Sequence, residues 1–271
     1  MNGIYICPTP IGNMEDITLR VLNVLKQCDV VACEDTRHTA GLLNHYQIRK
    51  PLISYHKFNE RSRAAELIEL AQSKMIAVVS DAGMPGISDP GFEVVRAARE
   101  AGVSVTVLPG ANAAVCAAVL SGLPCERFIF EGFLPGESKE RRKRISQIKN
   151  ETRSVIFYES PHHLERTLAE LEGELGNRTV AACREISKLY EECVVFELLH
   201  HKEFLEAHPP RGEYVLVVQG VQEQAPAGSL KEQLDRMLGE GMDKKEAIKA
   251  VARANNVSKN EVYMLLVNDN E

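Results

Sequence analysis

Five short apolar runs punctuate the first 120 residues, at 4–7, 30–33, 52–55, 75–79 and 103–108. Each is continuous rather than alternating, as expected of strands buried on both faces. Each also leads into a polar or glycine-rich loop and then a stretch whose apolar residues recur every three or four positions. These stretches predict helices over 16–27, from 38 or so to 46, and over 62–73, 92–101 and 114–120. In the first, Asp16 reads as the N-cap, with Leu19, Leu22 and Leu25 turned inward. Regular strand–helix alternation predicts a parallel five-stranded sheet in an α/β domain. Such sheets take ligands outside the carboxyl ends of their strands. The unusual loops at 8–13, 34–37, 56–60, 80–91 and 109–113 all fall at that one edge.

The pattern breaks at Ser121-Gly122-Leu123-Pro124. Beyond it come a strand at 127–130, a turn at 132–136, a very basic helix at 139–149 and a strand at 154–158. Glu159-Ser160-Pro161-His162-His163 opens the next helix, and strands at 179–184, 193–198 and 214–218 lie close enough to form an antiparallel or mixed sheet. Residues 222–228, with Pro226 and Gly228, read as a linker. Helices at 230–238, 244–254 and 258–266 follow, the last capped by Ser258, with Asn255-Asn256-Val257 as a tight connector. That spacing suits a helix-turn-helix and equally a plain packing or dimerisation module. The expected organisation is an N-terminal α/β domain at 1–121, a second α/β domain at 122–224 and a helical module at 229–271.

Composition narrows the classes. A chain of 271 residues, 44% hydrophobic and 26% charged, is ordinary for a globular protein. No apolar run approaches the roughly 20 residues of a membrane span, and no basic-then-apolar leader opens the chain, so a cytoplasmic location is expected. Seven cysteines without a Cys-x-x-Cys argue against a disulfide framework or a zinc site; Cys7, Cys28, Cys33 and Cys116 read as core packing. A net charge of −6 rules out bulk attraction to nucleic acid, leaving local patches. The 139–149 helix is one, with six basic residues against Glu140, although a solvated helix face would look the same.

The densest chemistry lies at 80–91, Ser-Asp-Ala-Gly-Met-Pro-Gly-Ile-Ser-Asp-Pro-Gly. Three glycines, two prolines and two aspartates in twelve residues let a ligand lie against bare backbone. No Gly-x-Gly-x-x-Gly and no Gly-Lys-Ser/Thr occurs, and acids stand where a phosphate cradle wants amides and lysine. The partner therefore offers hydroxyls or positive charge. Asp81 is the stronger candidate, because Asp89-Pro90-Gly91 before a helix is ordinary capping chemistry.

Four spaced stretches carry a resemblance: Pro8-Thr9-Pro10-Ile11-Gly12-Asn13, Glu34-Asp35-Thr36-Arg37, the 80–91 loop and Leu108-Pro109-Gly110-Ala111-Asn112-Ala113. Together they resemble the tetrapyrrole methylase superfamily, and within it the branch that methylates a cytidine ribose 2′-hydroxyl of 16S rRNA. The resemblance runs over essentially the whole chain. It implies S-adenosylmethionine in a cleft between two α/β domains, a homodimer, and 16S rRNA, assembled in the small subunit, as partner. It matches Asp81 to a cofactor-facing acid, Met84 to an apolar neighbour of the cofactor, Asn112 and Ala113 to a contacting pair, and Tyr158 to a residue that packs on the cofactor. Ile11, in the first loop, and Ile186, in Arg184-Glu185-Ile186-Ser187, fall in matching stretches, and Gly83 offers bare backbone. Ile11-Gly12-Asn13 departs from the superfamily's Gly-Pro-Gly-Asp turn, with an amide in place of the acid.

That cofactor suits the loop read independently: it has a sulfonium, an ammonium and a ribose diol, and no phosphate. A ribose hydroxyl is a weak nucleophile, so a base or a cation beside it is useful. Glu34, Asp35, His56 and Lys57 are the candidates at the correct sheet edge, with Arg37 placed to hold a phosphate. Each has a structural alternative, such as a Glu34–Arg37 ion pair or a satisfied loop histidine at 56. Arg141, Arg142, Lys143 and Arg144, with Lys244, Lys245 and Arg253 in the tail, are the candidate RNA contacts. His162-His163 and His200-His201 are adjacent pairs that cannot share a metal from one face, so no metal is expected. A corrin- or porphyrin-methylating enzyme of the same fold, or a nucleotide-sensing DNA-binding regulator, are the alternative functions.

Overall fold

A computed structural model of the chain describes residues 2–222, 228–255 and 257–267. The chain forms two compact units, Met1–Gly220 and Val221–Glu271.

The larger unit opens with β1 (Gly3–Ile6), a 3₁₀ turn (Met14–Asp16), α1 (Leu19–Gln27), β2 (Val30–Cys33), α2 (Thr36–His45) and β3 (Leu52–Ser54). It continues with α3 (Glu60–Ala71), β4 (Met75–Val79), α4 (Phe92–Glu100), β5 (Val105–Val107) and α5 (Ala113–Leu120). The five strands form one parallel sheet in the order β3-β2-β4-β1-β5. Alternate residues of these strands feed different layers, as strand geometry requires. Ile4, Ile6, Ala32, Ile76 and Val78 pack with α3 and α4, while Cys7, Val31, Cys33, Ala77 and Val79 pack with α1 and α2. Chain connections leave β1 toward β2 and leave β4 toward β5, so the adjacent strands β1 and β4 form the switch point of the sheet.

Two local readings need correction. Asp16 does not cap α1. Asn13 caps the short turn, Thr18 caps α1 by accepting from the Val21 amide at 3.2 Å, and the Asp16 carboxylate instead accepts from the Ser187 hydroxyl. The helix therefore starts later and buries Val21 and Leu25, leaving Leu19 78% exposed. Cys116 is exposed on α5, unlike the buried Cys7, Cys28 and Cys33.

The second sheet is built from β6 (Phe128–Phe133), β7 (Ser154–Glu159), β8 (Thr179–Arg184), β9 (Glu192–Glu197) and β10 (Tyr214–Val218), in the order β6-β7-β10-β8-β9. Only β6 and β7 run parallel. α6 (Ser138–Gln147), α7 (Leu164–Leu175) and α8 (His201–Ala207) accompany it, and the last, a short helix, was not legible in the sequence pattern. One face packs on α6, α7 and α8 through Val155, Phe157, Val180 and Leu216. The other face, with Ile156, Ala181, Cys183, Val215 and Val217, packs on Ala114, Ala117 and Ala118 of α5. Thus α5, although it follows the first sheet in sequence, seals the second. β6 continues three residues past the expected end, because a bulge between Phe130 and Gly132 places Gly132 at φ 65°, which glycine adopts freely.

The basic helix α6 divides by face. Arg141 is only 4% exposed and is held by Glu170, Glu159 and Thr167, so it ties α6 to α7 and β7 and does not meet RNA. Arg142 and Lys143 are exposed, and Arg144 pairs with Glu131.

The smaller unit comprises α9 (Leu230–Gly239), α10 (Lys244–Ala254) and α11 (Lys259–Val267). Ser229 and Glu232 form a reciprocal capping box at the start of α9, and the Ser258 hydroxyl accepts from the Glu261 amide at 3.1 Å. Leu234, Ala247, Ile248, Val251 and Val262 form its core. Residues 223–227 of the expected linker, Pro226 among them, lie outside the described residues, as does Asn256.

Arg141→Met should destabilise the protein by about 3–5 kcal/mol, since it leaves the buried Glu159 carboxylate without its charge partner, while Glu170 keeps Arg166. Arg142→Ala should change stability by no more than about 0.5 kcal/mol. Urea denaturation of the two variants separates these outcomes, and equal midpoints would return Arg141 to the surface set.

Candidate active site

The loops after β1 and β4 are clasped at the switch point by a two-residue antiparallel bridge. The Thr9 amide donates to the Gly83 carbonyl at 2.9 Å and the Gly83 amide donates to the Thr9 carbonyl at 3.0 Å. The buried Thr9 hydroxyl adds a bond to the Ser80 carbonyl at 3.0 Å. The loop after β2 joins them, because the Asp35 amide donates to Asp81 Oδ1 at 3.1 Å. These bonds hold the carboxyl edge of the first sheet as one surface.

Against it the second sheet closes a cleft of about 450 Å³, within the usual ~300–1,000 Å³ of small-molecule sites. The first sheet contributes Ile11, Glu34, the loop from Asp81 to Asp89, Asn112 and Ala113. The second contributes Phe133, Tyr158, Glu159, Ser160, Glu185, Ile186, Lys188 and Glu213 to Val215. All eight residues expected at the cofactor, Ile11, Asp81, Gly83, Met84, Asn112, Ala113, Tyr158 and Ile186, line this space. Asn112 has its side chain engaged as the N-cap of α5, accepting from the Val115 amide at 3.1 Å. Tyr158 is held edge-on by Phe130 and Phe133, with ring centroids 5.0 and 5.5 Å away. Burial pushes its pKa up.

The charge in the cleft is mostly negative. Lys188 reaches Glu185 at 2.8 Å and Glu213 at 2.9 Å, so its ammonium is already neutralised. Facing it are Glu34, Asp81 and Asp89. Burial raises the Glu34 pKa, with the Asp81 charge adding to the effect and His56 opposing it. Asp89 is pushed up to about 7, first by burial and then by the charges of Glu34 and Asp81. A site of this kind repels phosphate and attracts a cation or a hydroxyl.

Of the four residues considered as a base, only Glu34 lines the cleft. Asp35 caps α2, accepting from the Arg37 and His38 amides at 2.7 and 3.4 Å, and those donors hold its pKa low. His56 is tied to Asn59, which accepts from its backbone amide at 2.8 Å and meets its Nε2 at 3.2 Å. Lys57 is exposed, and the Arg37 side chain is 92% exposed with a 3.7 Å contact to Asp35. Sequence reasoning passed over Asp89, which was read as a helix cap. The cap of α4 is Gly91 and makes no side-chain bond, which frees the carboxylate for the cleft. Glu185 lies in the matching stretch at 184–187, whereas the lining from Lys188 and β10 carried no motif that could have revealed it.

A parallel sheet and a mixed sheet around one ligand cleft define the architecture of the methylases that build corrins and porphyrins. Uroporphyrin-III C-methyltransferase from Thermus thermophilus, in complex with S-adenosylhomocysteine, superposes with a TM-score of 0.55 at 19% identity, covering 80% of this chain and 97% of that one. Diphthine synthase reaches a TM-score of 0.64 at 15% identity over 80% and 89% of the two chains. Residues 3–200 match the model of the Tetrapyrrole (Corrin/Porphyrin) Methylases, and the chain belongs to that family. Among curated relatives, Ribosomal RNA small subunit methyltransferase I of Halalkalibacterium halodurans is 42% identical over 268 residues, spanning 96% of this chain and 93% of its own. The protein of that name from Escherichia coli O157:H7 is 43% identical over 96% and 93% of the two. That from Thermotoga maritima is 42% identical over 221 residues, which are 81% of this chain and 99% of its own.

Methyltransferases of this family draw the methyl group from S-adenosylmethionine, and this cleft fits it. Its sulfonium and ammonium answer the carboxylates, its adenine and methionine stem answer Ile11, Met84, Tyr158 and Ile186, and it brings no phosphate to a cleft whose lysine is already paired.

The raised pKa of Asp89 ties stability to pH. The fold holds this proton more tightly than the unfolded chain does, whose ordinary value is 3.8. Its contribution is complete below that value and gone once pH passes about 7. Asp89→Asn should therefore raise the melting temperature at pH above about 7 and change it least in acid, as differential scanning calorimetry across pH would record.

Proposed function

We propose that this chain methylates a ribose 2′-hydroxyl of a cytidine in 16S rRNA, using S-adenosylmethionine and no metal. What carries the reading is the match of about 42% identity to Ribosomal RNA small subunit methyltransferase I over 96% of the chain, against 15–21% for the corrin, porphyrin and diphthine enzymes, which span about four fifths of it. A tetrapyrrole methylase remains the alternative supported by fold alone.

The chemistry agrees with the site. When bound, the cofactor supplies a methyl group activated by its sulfonium. The chain's own task is to hold the incoming hydroxyl in line with that methyl, exclude water and remove a proton. Asp81, anchored by the Asp35 amide, is positioned as the cofactor-facing acid, while Met84, Ile186 and Tyr158 supply the dry wall.

RNA has cations to meet beside the cleft. The segments that follow the paired strands β2 and β3 carry Arg37 in the first turn of α2, Lys57 in the loop after β3 and Arg61 in the first turn of α3, all exposed. Between them Phe58 is 96% exposed, with its ring edge-on to His56 at a centroid separation of 6.0 Å. An aromatic face beside cations suits an unstacked RNA base. Arg142 and Lys143 of α6, and Lys244, Lys245 and Arg253 of α10, are exposed and available to phosphates. The cleft is lined wholly by residues of the larger unit, so the helical module is read as an affinity element rather than part of the chemistry. Self-association as a homodimer has an apolar surface on α5 to draw on, where Val119 is 80% exposed beside Val115 and Leu120. No described helix is long and apolar enough to cross a membrane, and the cytoplasm is the compartment where the substrate resides.

Labelled S-adenosylmethionine should transfer its methyl to assembled small subunits, giving a 2′-O-methylcytidine resistant to alkaline cleavage. Transfer only to a porphyrinogen would sink the reading. In the same assay Phe58→Ala should raise KM for RNA about 5- to 150-fold, the ~1–3 kcal/mol of one stacked base, with kcat and cofactor affinity little changed. Deleting residues 229–271 should leave cofactor affinity intact and weaken RNA binding without abolishing transfer.

A further inference from the structure

Among the described residues, Asp89 lines the cleft and its carboxylate has no hydrogen-bond donor. Glu34 has no side-chain donor either, yet it follows β2 directly in an open loop, whereas Asp81 is bonded by the Asp35 amide. Asp89 sits in a closed turn: the Gly86 amide donates to the Pro90 carbonyl at 3.1 Å, and Gly91 lies so close that a Cβ there would stand 2.7 Å from the Gly86 nitrogen. Ser88 just before it takes φ 64°, a strained value for a residue with a side chain. The Ser88 hydroxyl packs on the bulge at Gly132, where a Cβ would stand 2.9 Å from Ser88 Oγ, so the second sheet braces the turn. Strain held by both sheets around a half-buried carboxylate with no partner among the described residues is a costly arrangement for the fold alone.

We propose that Asp89 is the general base that accepts the proton of the attacking ribose hydroxyl. The assignment rests on the 2′-O-methylation reading. As the oxygen–methyl bond forms, the O–H proton passes to the Asp89 carboxylate. The methyl–sulfur bond breaks with its electron pair staying on sulfur. The sulfonium's positive charge and the carboxylate's negative charge disappear together, and the proton later leaves to solvent.

Its neighbours suit it to that work. Glu34 from the loop after β2 and Asp81 from its own loop surround it with negative charge, and the Tyr158 hydroxyl of β7 faces it. Lys188 across the cleft is committed to Glu185 and Glu213, and Glu159 of β7 to Arg141 and Thr167. The acid is thus poised to titrate near neutrality, where a base both exists ionised and holds a proton usefully. Rate should rise as pH passes about 7 in the free enzyme.

The test compares wild type, Asp89→Asn and Glu34→Gln. Affinities for S-adenosylmethionine and S-adenosylhomocysteine are measured by calorimetry, and single-turnover methyl transfer to small subunits is followed from about pH 6 to about 9. Asp89→Asn should bind both ligands within about threefold of wild type, lose roughly 100-fold or more in rate, and lose the acid limb. Glu34→Gln should keep the limb but move it to lower pH, because a charge that raises the Asp89 pKa is gone. A normal rate and limb in Asp89→Asn overturns the assignment. So does a selective loss of affinity for the sulfonium ligand, which makes Asp89 a charge holder, or abolition of the limb by Glu34→Gln, which makes Glu34 the base. Wild type that binds the cofactor yet methylates no rRNA overturns the parent reading, and this one with it.

Discussion

The cleft depends on the adjacency of β1 and β4 in the first sheet. Inside the sheet their backbone groups are consumed by neighbouring strands, so the chain is free to do chemistry only where it leaves the carboxyl edge. There the two chains depart in opposite directions, and the gap would open were it not for the Thr9–Gly83 bridge. That pair of backbone bonds, with the Asp81–Asp35 contact, turns three loops into a single wall. Everything brought by the second sheet is then a matter of closing against a prepared surface.

Closure is carried by α5 and by the strained turn. The alanines of α5 pack beneath the second sheet, while Asn112 at its start belongs to the cleft. The turn at 86–91 meets the bulge of β6 through Ser88 and Gly132. Both contacts join the sheets beside the ligand rather than far from it. Acid carboxylates concentrate where water is being excluded, so their charges repel one another, and the cost to stability is the counterpart of an affinity for cation and hydroxyl.

Electrostatics also sorts the basic residues. In α6, four consecutive cations look alike on paper, yet the helix turns Arg141 into the interior, where Glu159 and Glu170 require it, and Arg142 and Lys143 outward. A cation that completes a buried network is structural whatever the charge of its neighbours in sequence. The same helical turn that costs Arg141 its freedom leaves its neighbours able to meet a polyanion.

The sequence by itself determined the strand–helix order, the parallel edge and the loop at 80–91, because buried strands and glycine-rich turns leave local signals in composition and period; the expected cofactor residues came with the family resemblance, and they line the cleft. It could not tell Asp81 from Asp89. Asp-Pro-Gly before a helix means a cap in most chains, and only the packing of Gly91 on Gly86 shows that Gly91 takes that place. Nor could it find that Lys188 is held by Glu213, which arrives from another segment of the chain, or tell that Arg141 is buried. Those outcomes belong to tertiary structure alone: burial and charge pairing are set by what arrives from the second sheet, and no window along the chain contains that information.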